Sequence, residues 1–72
     1  MIIYTLEKFD VTDQTLKQVA TAQSVATLKR KAVDTSCIYR ISQADHHPNG
    51  QLSSIGTIYK KLPNKNWRFL GA

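Results

Sequence analysis

The side chains able to do chemistry are few and mostly scattered. His46 and His47, preceded by Asp45, are the most conspicuous. Two imidazoles and a carboxylate are metal-ligand types, but adjacent residues of an extended segment point to opposite sides, so one ion held by both rings needs special loop geometry. The sequence has no third histidine, and its only cysteine, Cys37, lies nine residues before His46 in a segment that reads as a strand. A solvated loop without a metal is the expectation. Cys37 is a candidate nucleophile only if a histidine base and a pKa-lowering site stand beside it. A free cysteine in a strand is ordinarily a small buried hydrophobe. The five carboxylates, Glu7, Asp10, Asp13, Asp34 and Asp45, fall mostly at turn positions, and no pair is spaced for acid/base work. Gly50, Gly56 and Gly71 do not form a glycine-rich phosphate loop. These residues predict no catalytic group, no cofactor and no enzyme activity, and point to a protein that works by binding.

The basic residues are better placed. Ten Lys and Arg against five Asp and Glu give a formal net charge of +5. Three of them are consecutive, Lys29-Arg30-Lys31, and from Ser54 onward Lys60, Lys61, Lys65 and Arg68 occur with no acidic residue. Excess positive charge raises encounter rates with anionic partners and supplies phosphate contacts independent of sequence. In Tyr59-Lys60-Lys61 and Lys65-Asn66-Trp67-Arg68 the cations alternate with aromatics. Such a face can track a nucleic-acid backbone while a ring stacks on a base. A solvated, soluble face is the plainer reading of the same charges, and the only tryptophan is needed by a small core. The candidate partner- or nucleic-acid-binding residues are Lys29, Arg30, Lys31, Lys60, Lys61, Lys65 and Arg68.

The elements that must position these residues follow from periodicity. Ile2 to Phe9 is rich in β-branched and aromatic residues, with Ile2, Tyr4 and Leu6 on one face and Ile3, Thr5 and Glu7 on the other, and reads as a first strand. Asp10-Val11-Thr12-Asp13 reverses the chain through side-chain to backbone hydrogen bonds. Leu16, Val19 and Ala20 have helical spacing, but Val25 and Leu28 fall out of phase with them. The better division is a second strand over Thr15 to Thr21 and a helix that starts after Ser24, whose hydroxyl is placed to accept from the free N–H groups of the first turn. Val25, Leu28 and Ala32 then form one apolar stripe, with Lys29, Arg30 and Lys31 near the C-terminal end, where the helix dipole favours cations. Cys37 to Ser42 reads as a third strand. Asp45 to Gly50 is a loop ending in Asn-Gly, a hairpin signal that leads into a fourth strand over Leu52 to Lys61. Leu62-Pro63-Asn64-Lys65 makes a second turn, with Pro fixing φ and Asn tolerating positive φ. Trp67 to Leu70 is the last strand. The predicted fold is α+β, a single helix packed on an antiparallel sheet of about five strands, in the order β-β-α-β-β-β.

Seventy-two residues make one domain, with 42% hydrophobic and 21% charged residues, a composition that folds. One cysteine excludes an intramolecular disulfide, so a reducing cytoplasm is the expected compartment. The first residues lack the basic and apolar regions of a signal peptide, and nothing approaches the roughly 20 apolar residues of a membrane span.

The segment Ala22-Gln23-Ser24-Val25-Ala26-Thr27-Leu28-Lys29-Arg30-Lys31-Ala32, followed by Cys37, resembles the ninth numbered family of small type I-F anti-CRISPR proteins. Ala-Gln-Ser, a Lys-Arg pair and an Ala on the helix, and a Cys opening the next strand carry the likeness, with Tyr59-Lys60 and Lys65-x-Trp67 further on. It covers roughly Ala22 to Trp67. The loop Asp45 to Gln51 with its two histidines and the stretch Ser53-Ser54-Ile55-Gly56-Thr57 depart from the family pattern. The resemblance implies one helix on a five-stranded antiparallel sheet. It also implies a phage-encoded protein, acting in the bacterial cytoplasm, that binds the backbone subunits of a crRNA-guided surveillance complex and blocks its DNA-binding path. Lys29, Arg30, Lys60 and Lys65 are the matching basic positions. The alternatives are a direct, nonspecific DNA- or RNA-binding module, and an accessory protein of a mobile element.

Overall fold

The structure, a computed structural model, describes residues 1–71, and of Ser54 and Ile55 only the backbone. Strand β1 (Ile2–Asp10) is followed by β2 (Thr15–Ala22), helix α1 (Val25–Lys31), β3 (Ile38–His46), β4 (Leu52–Lys61) and β5 (Trp67–Phe69). The five strands form one antiparallel sheet in the order β2-β1-β3-β4-β5. The predicted class and element order both hold. Among the described residues no helix is long and apolar enough to cross a membrane.

The turns follow from their residues. Asp10 Oδ1 accepts from Thr12 N–H and Asp13 Oδ1 from both the N–H and the hydroxyl of Thr15, which closes the β1–β2 connection. At Leu62–Lys65 the Lys65 N–H donates to the Leu62 carbonyl at 3.1 Å, with Asn64 at φ 58°. That is the turn expected of Pro then Asn. The β3–β4 hairpin is made differently. Pro48 and Asn49, not Asn49 and Gly50, are its central residues: Gly50 N–H donates to the His47 carbonyl at 3.0 Å, Gly50 takes φ 86°, and His47 N–H reaches the Gln51 carbonyl at 2.9 Å. Proline's fixed φ suits the first central position, which moves the glycine to the left-handed position that follows.

Strand β3 runs four residues past the predicted Ser42, because the first half of β1 supplies its partners: Ile3 pairs with Ala44 and Ile2 with Asp45. Cys37 precedes it, in a turn where its N–H donates to the Asp34 carbonyl. Seven residues are too few for a helix to be stable alone, so α1 depends on what it packs against. Leu28 is fully buried, with Leu6, Cys37, Tyr39, Ile41 and Ile58, and Val25 and Ala32 pack on this cluster, as their spacing requires. Ser24 occupies the N-cap in extended geometry, but its side chain makes no capping hydrogen bond. The expected hydroxyl cap is therefore absent, and α1 is held by its apolar stripe.

Because α1 covers one face only, side chains sort by strand alternation. The helix side carries the row Ala20, Leu6, Ile41, Tyr59, Phe69, each opposite the next in register. The other face carries Gln18, Glu7, Arg40, Lys60 and Arg68 in the same way.

Candidate anionic-partner interface

The open-face row depends on a β-bulge. Ile41 pairs with Tyr59 and the next residue, Ser42, pairs with Thr57, leaving Ile58 as an extra residue on β4. A bulge lets two successive side chains share a face. Ile58 is buried in the core and Tyr59 packs against it, while Thr57 and Lys60 both border the groove on the opposite side. In an unbulged strand Thr57 and Lys60, three residues apart, would point to opposite faces, and the extra residue is what puts both on the open face.

Arg40 is committed to Glu7. Its Nε lies 2.8 Å from Glu7 Oε1 and its second guanidinium contact is 3.3 Å to Oε2, and the Glu7 carboxylate holds the Arg40 pKa above its ordinary value. Lys60 and Arg68, further along the row, are exposed and directly opposite each other across β4 and β5. Lys65 projects from the adjoining turn and is also exposed. Among the described residues none of these three makes an ion pair. They share a shallow groove of about 500 Å³ with Leu62, Asn66 and Leu70. A second groove, of about 460 Å³, runs back along the open face from Lys60 and Leu70, over the Glu7–Arg40 pair, to Phe9, Leu16 and Ile38. Cations are thus set in an apolar border, and Leu62 and Leu70 are 45% and 50% exposed.

The seven basic residues singled out by the sequence do not share one surface. Lys60, Lys65 and Arg68 form the group just described. Lys61 is half-buried on the helix side, in register with Tyr39 and Trp67. Lys29, on α1, lies with its Nζ 4.1 Å from the centre of the Tyr59 ring and 6.0 Å from that of Trp67, a cation held by aromatic faces. Arg30 and Lys31 are exposed in the last turn of α1. The fold divides these cations between the two faces of the sheet, parting even the neighbours Lys60 and Lys61. Arg40 and the apolar border, Leu62 and Leu70, are what the sequence reading missed. The alternation Tyr39-Arg40-Ile41, with an arginine between two core residues, was the available signal.

The residues of reactive type are tied into structure. Cys37 is 1% exposed, and burial, with the nearby Asp34 carboxylate, pushes its thiol pKa up. Asp34 accepts from the Ser36 hydroxyl and N–H, the Cys37 thiol and, at 3.3 Å, the Lys8 ammonium. The Ser36 hydroxyl and N–H lead these contacts in holding its carboxyl well below the usual range. Tyr39 Oη accepts from Asp34 N–H at 3.0 Å, fixing this loop to the core. His46 ends β3, and His47 Nε2 is 2.9 Å from Ser53 Oγ. Among the described residues no three metal-ligating side chains converge.

Compared with known families, curated proteins and solved structures, the chain matches none. What this surface can do has to be decided by its geometry.

Proposed function

We propose that this protein is a binding module for a polyanionic macromolecule, with Lys60, Lys65 and Arg68 contacting its phosphates. The observation that carries the reading is the β4–β5 corner, where three exposed cations that form no ion pair among the described residues border one groove. Cations so placed lose no ion pair when they meet a phosphate, and the released counterions favour the complex. Nucleic acid is the polymer that fits this chemistry. Glu7 blunts Arg40, so the contact is concentrated at the β4–β5 end and not spread over the face.

Fluorescence anisotropy with a labelled oligonucleotide tests this. The double charge reversal Lys60→Glu, Arg68→Glu should abolish binding, while Arg30→Glu, Lys31→Glu should weaken it only through the general field. Equal losses in the two variants would defeat the assignment of the site.

A second reading is favoured by Phe9, Leu16, Ile38 and Leu70, which border the adjoining groove of the open face with apolar surface. A protein interface draws its energy from a desolvated apolar centre and uses its charges at the rim. On this reading the chain inhibits a host machine such as a type I crRNA-guided surveillance complex, occluding the DNA path as the sequence resemblance implies. Leu70→Asp should then disrupt binding to the purified complex more than Lys65→Gln does. The reverse order would remove the support for this reading.

A further inference from the structure

The residues on the other side of the same corner belong to neither reading so far. Along β5 the side chains of Trp67 and Phe69 lie on the helix side and that of Arg68 on the open face. Opposite them, Lys61 pairs with Trp67 and Tyr59 with Phe69, so two aromatics of β5 and one of β4 stand together with a lysine. Tyr59 and Phe69 have ring centroids 5.2 Å apart at 56°, and Lys29 Nζ lies 4.1 Å from the Tyr59 centroid. Helix α1 lies on the same face but over β1 and β2, toward the opposite edge of the sheet, and reaches this corner through the Lys29 side chain. Phe69 is left 63% exposed. A single exposed phenylalanine is ordinary. One exposed in contact with a second aromatic, beside Lys29 and Lys61, in a stretch from Leu52 to Gly71 that contains no carboxylate, is a defined chemical surface.

We infer that the helix-side corner of β4 and β5, with Phe69 as the free ring and Tyr59 as its support, is a base-stacking platform for single-stranded nucleic acid. The inference rests on the polyanion reading above and narrows it to one class of polymer. Lys29 and Lys61 on this side, and Lys60 and Arg68 across the three-residue edge strand, provide cations on both flanks of the ring. A strand crossing this edge meets cations on both faces of β5. Stacking on a ring needs a base whose face is free, and in a duplex the faces are occupied by neighbouring bases. Phe69 therefore discriminates against duplex, whereas the cations of the open face accept either form.

Trp67, the only tryptophan, lies two residues from Phe69 on the same face, about 7 Å along the strand, and reports directly on this corner. The test is a titration of the full chain with a short oligothymidylate and with a duplex of equal length, following Trp67 emission and anisotropy of the labelled nucleic acid. The single strand should bind more tightly and quench Trp67. Phe69→Ala should weaken single-strand binding by at least about fivefold and leave duplex binding unchanged, while Phe69→Tyr, which keeps the π face, should bind as the parent does. Far-UV circular dichroism of both variants establishes that the fold is kept. Duplex binding equal to or tighter than single-strand binding, or a Phe69→Ala variant that binds single strands as the parent does, overturns the platform and leaves the polyanion reading standing. Binding of neither polymer overturns both.

Discussion

Leu28 is the one side chain of α1 that is fully buried, so Leu28→Ala tests whether the helix is seated as described. The change removes the centre of the stripe Val25, Leu28, Ala32 and opens a void against Leu6, Ile41 and Ile58. Leu→Ala at buried sites costs about 2–5 kcal/mol, the spread reflecting how far the surroundings collapse into the space. A seven-residue helix on one face of a sheet can move toward the sheet, which places the cost in the lower part of the range, about 2–3 kcal/mol. For a domain of this size each kcal/mol lowers the thermal midpoint by about 4–8 °C, so the midpoint should fall by about 8–24 °C. Urea unfolding followed by Trp67 emission and by far-UV circular dichroism gives the free energy from two probes, and their coincidence checks two-state behaviour. A loss under about 1 kcal/mol would mean that α1 is not held by this stripe, and the argument that leaves the helix-side corner of β4 and β5 uncovered would fall with it.

Two further outcomes follow from single residues. Ser24→Ala should change stability by no more than about 0.5 kcal/mol in urea melts, since the hydroxyl makes no capping bond, whereas a cost on the order of 1 kcal/mol would show a cap that forms in solution. Asp34, whose folded pKa is held below the ordinary 3.8 by Ser36, Cys37 and Lys8, contributes stability that is fully present above the unfolded value and is lost as pH falls toward the folded one. Asp34→Asn should therefore lower the urea midpoint at neutral pH and flatten its decline below about pH 5, and an unchanged acid limb would refute the role given to this loop.

The fold was legible because its local signals agree. Alternation from Ile2 to Phe9, the phase break between Ala20 and Val25, and Pro63-Asn64 each indicate the same element order, and the structure keeps all three. The limits of β3 were not legible, because Gln43 to His46 is polar and becomes strand only through pairing with β1, a tertiary fact. The hairpin at Asn49-Gly50 was located but its type was not, since Pro48 takes the first central position and moves the glycine onward. For the site, composition named the cations but could not divide them. Alternation sends Lys60 to the open face with Arg68 and Lys61 to the helix side with Trp67, but which face each takes depends on the bulge at Ile58, which resets the phase of β4 after Thr57. No spacing in Thr57-Ile58-Tyr59-Lys60 announces that extra residue. Lys29, read as a free cation of the helix end, is instead placed over the Tyr59 ring by the fold.

The central claim is that Lys60, Lys65 and Arg68 contact phosphates, and the most direct measurement is the dependence of binding on salt. Each phosphate neutralised contributes a log–log slope of about −0.9 on duplex DNA and about −0.7 on a single strand. Three contacts give a slope of about −2 to −3 for the parent, and replacing Lys60 or Arg68 by Gln should reduce its magnitude by about one each. A slope near zero, or one that the Lys60→Gln, Arg68→Gln double variant leaves unchanged, would contradict the account.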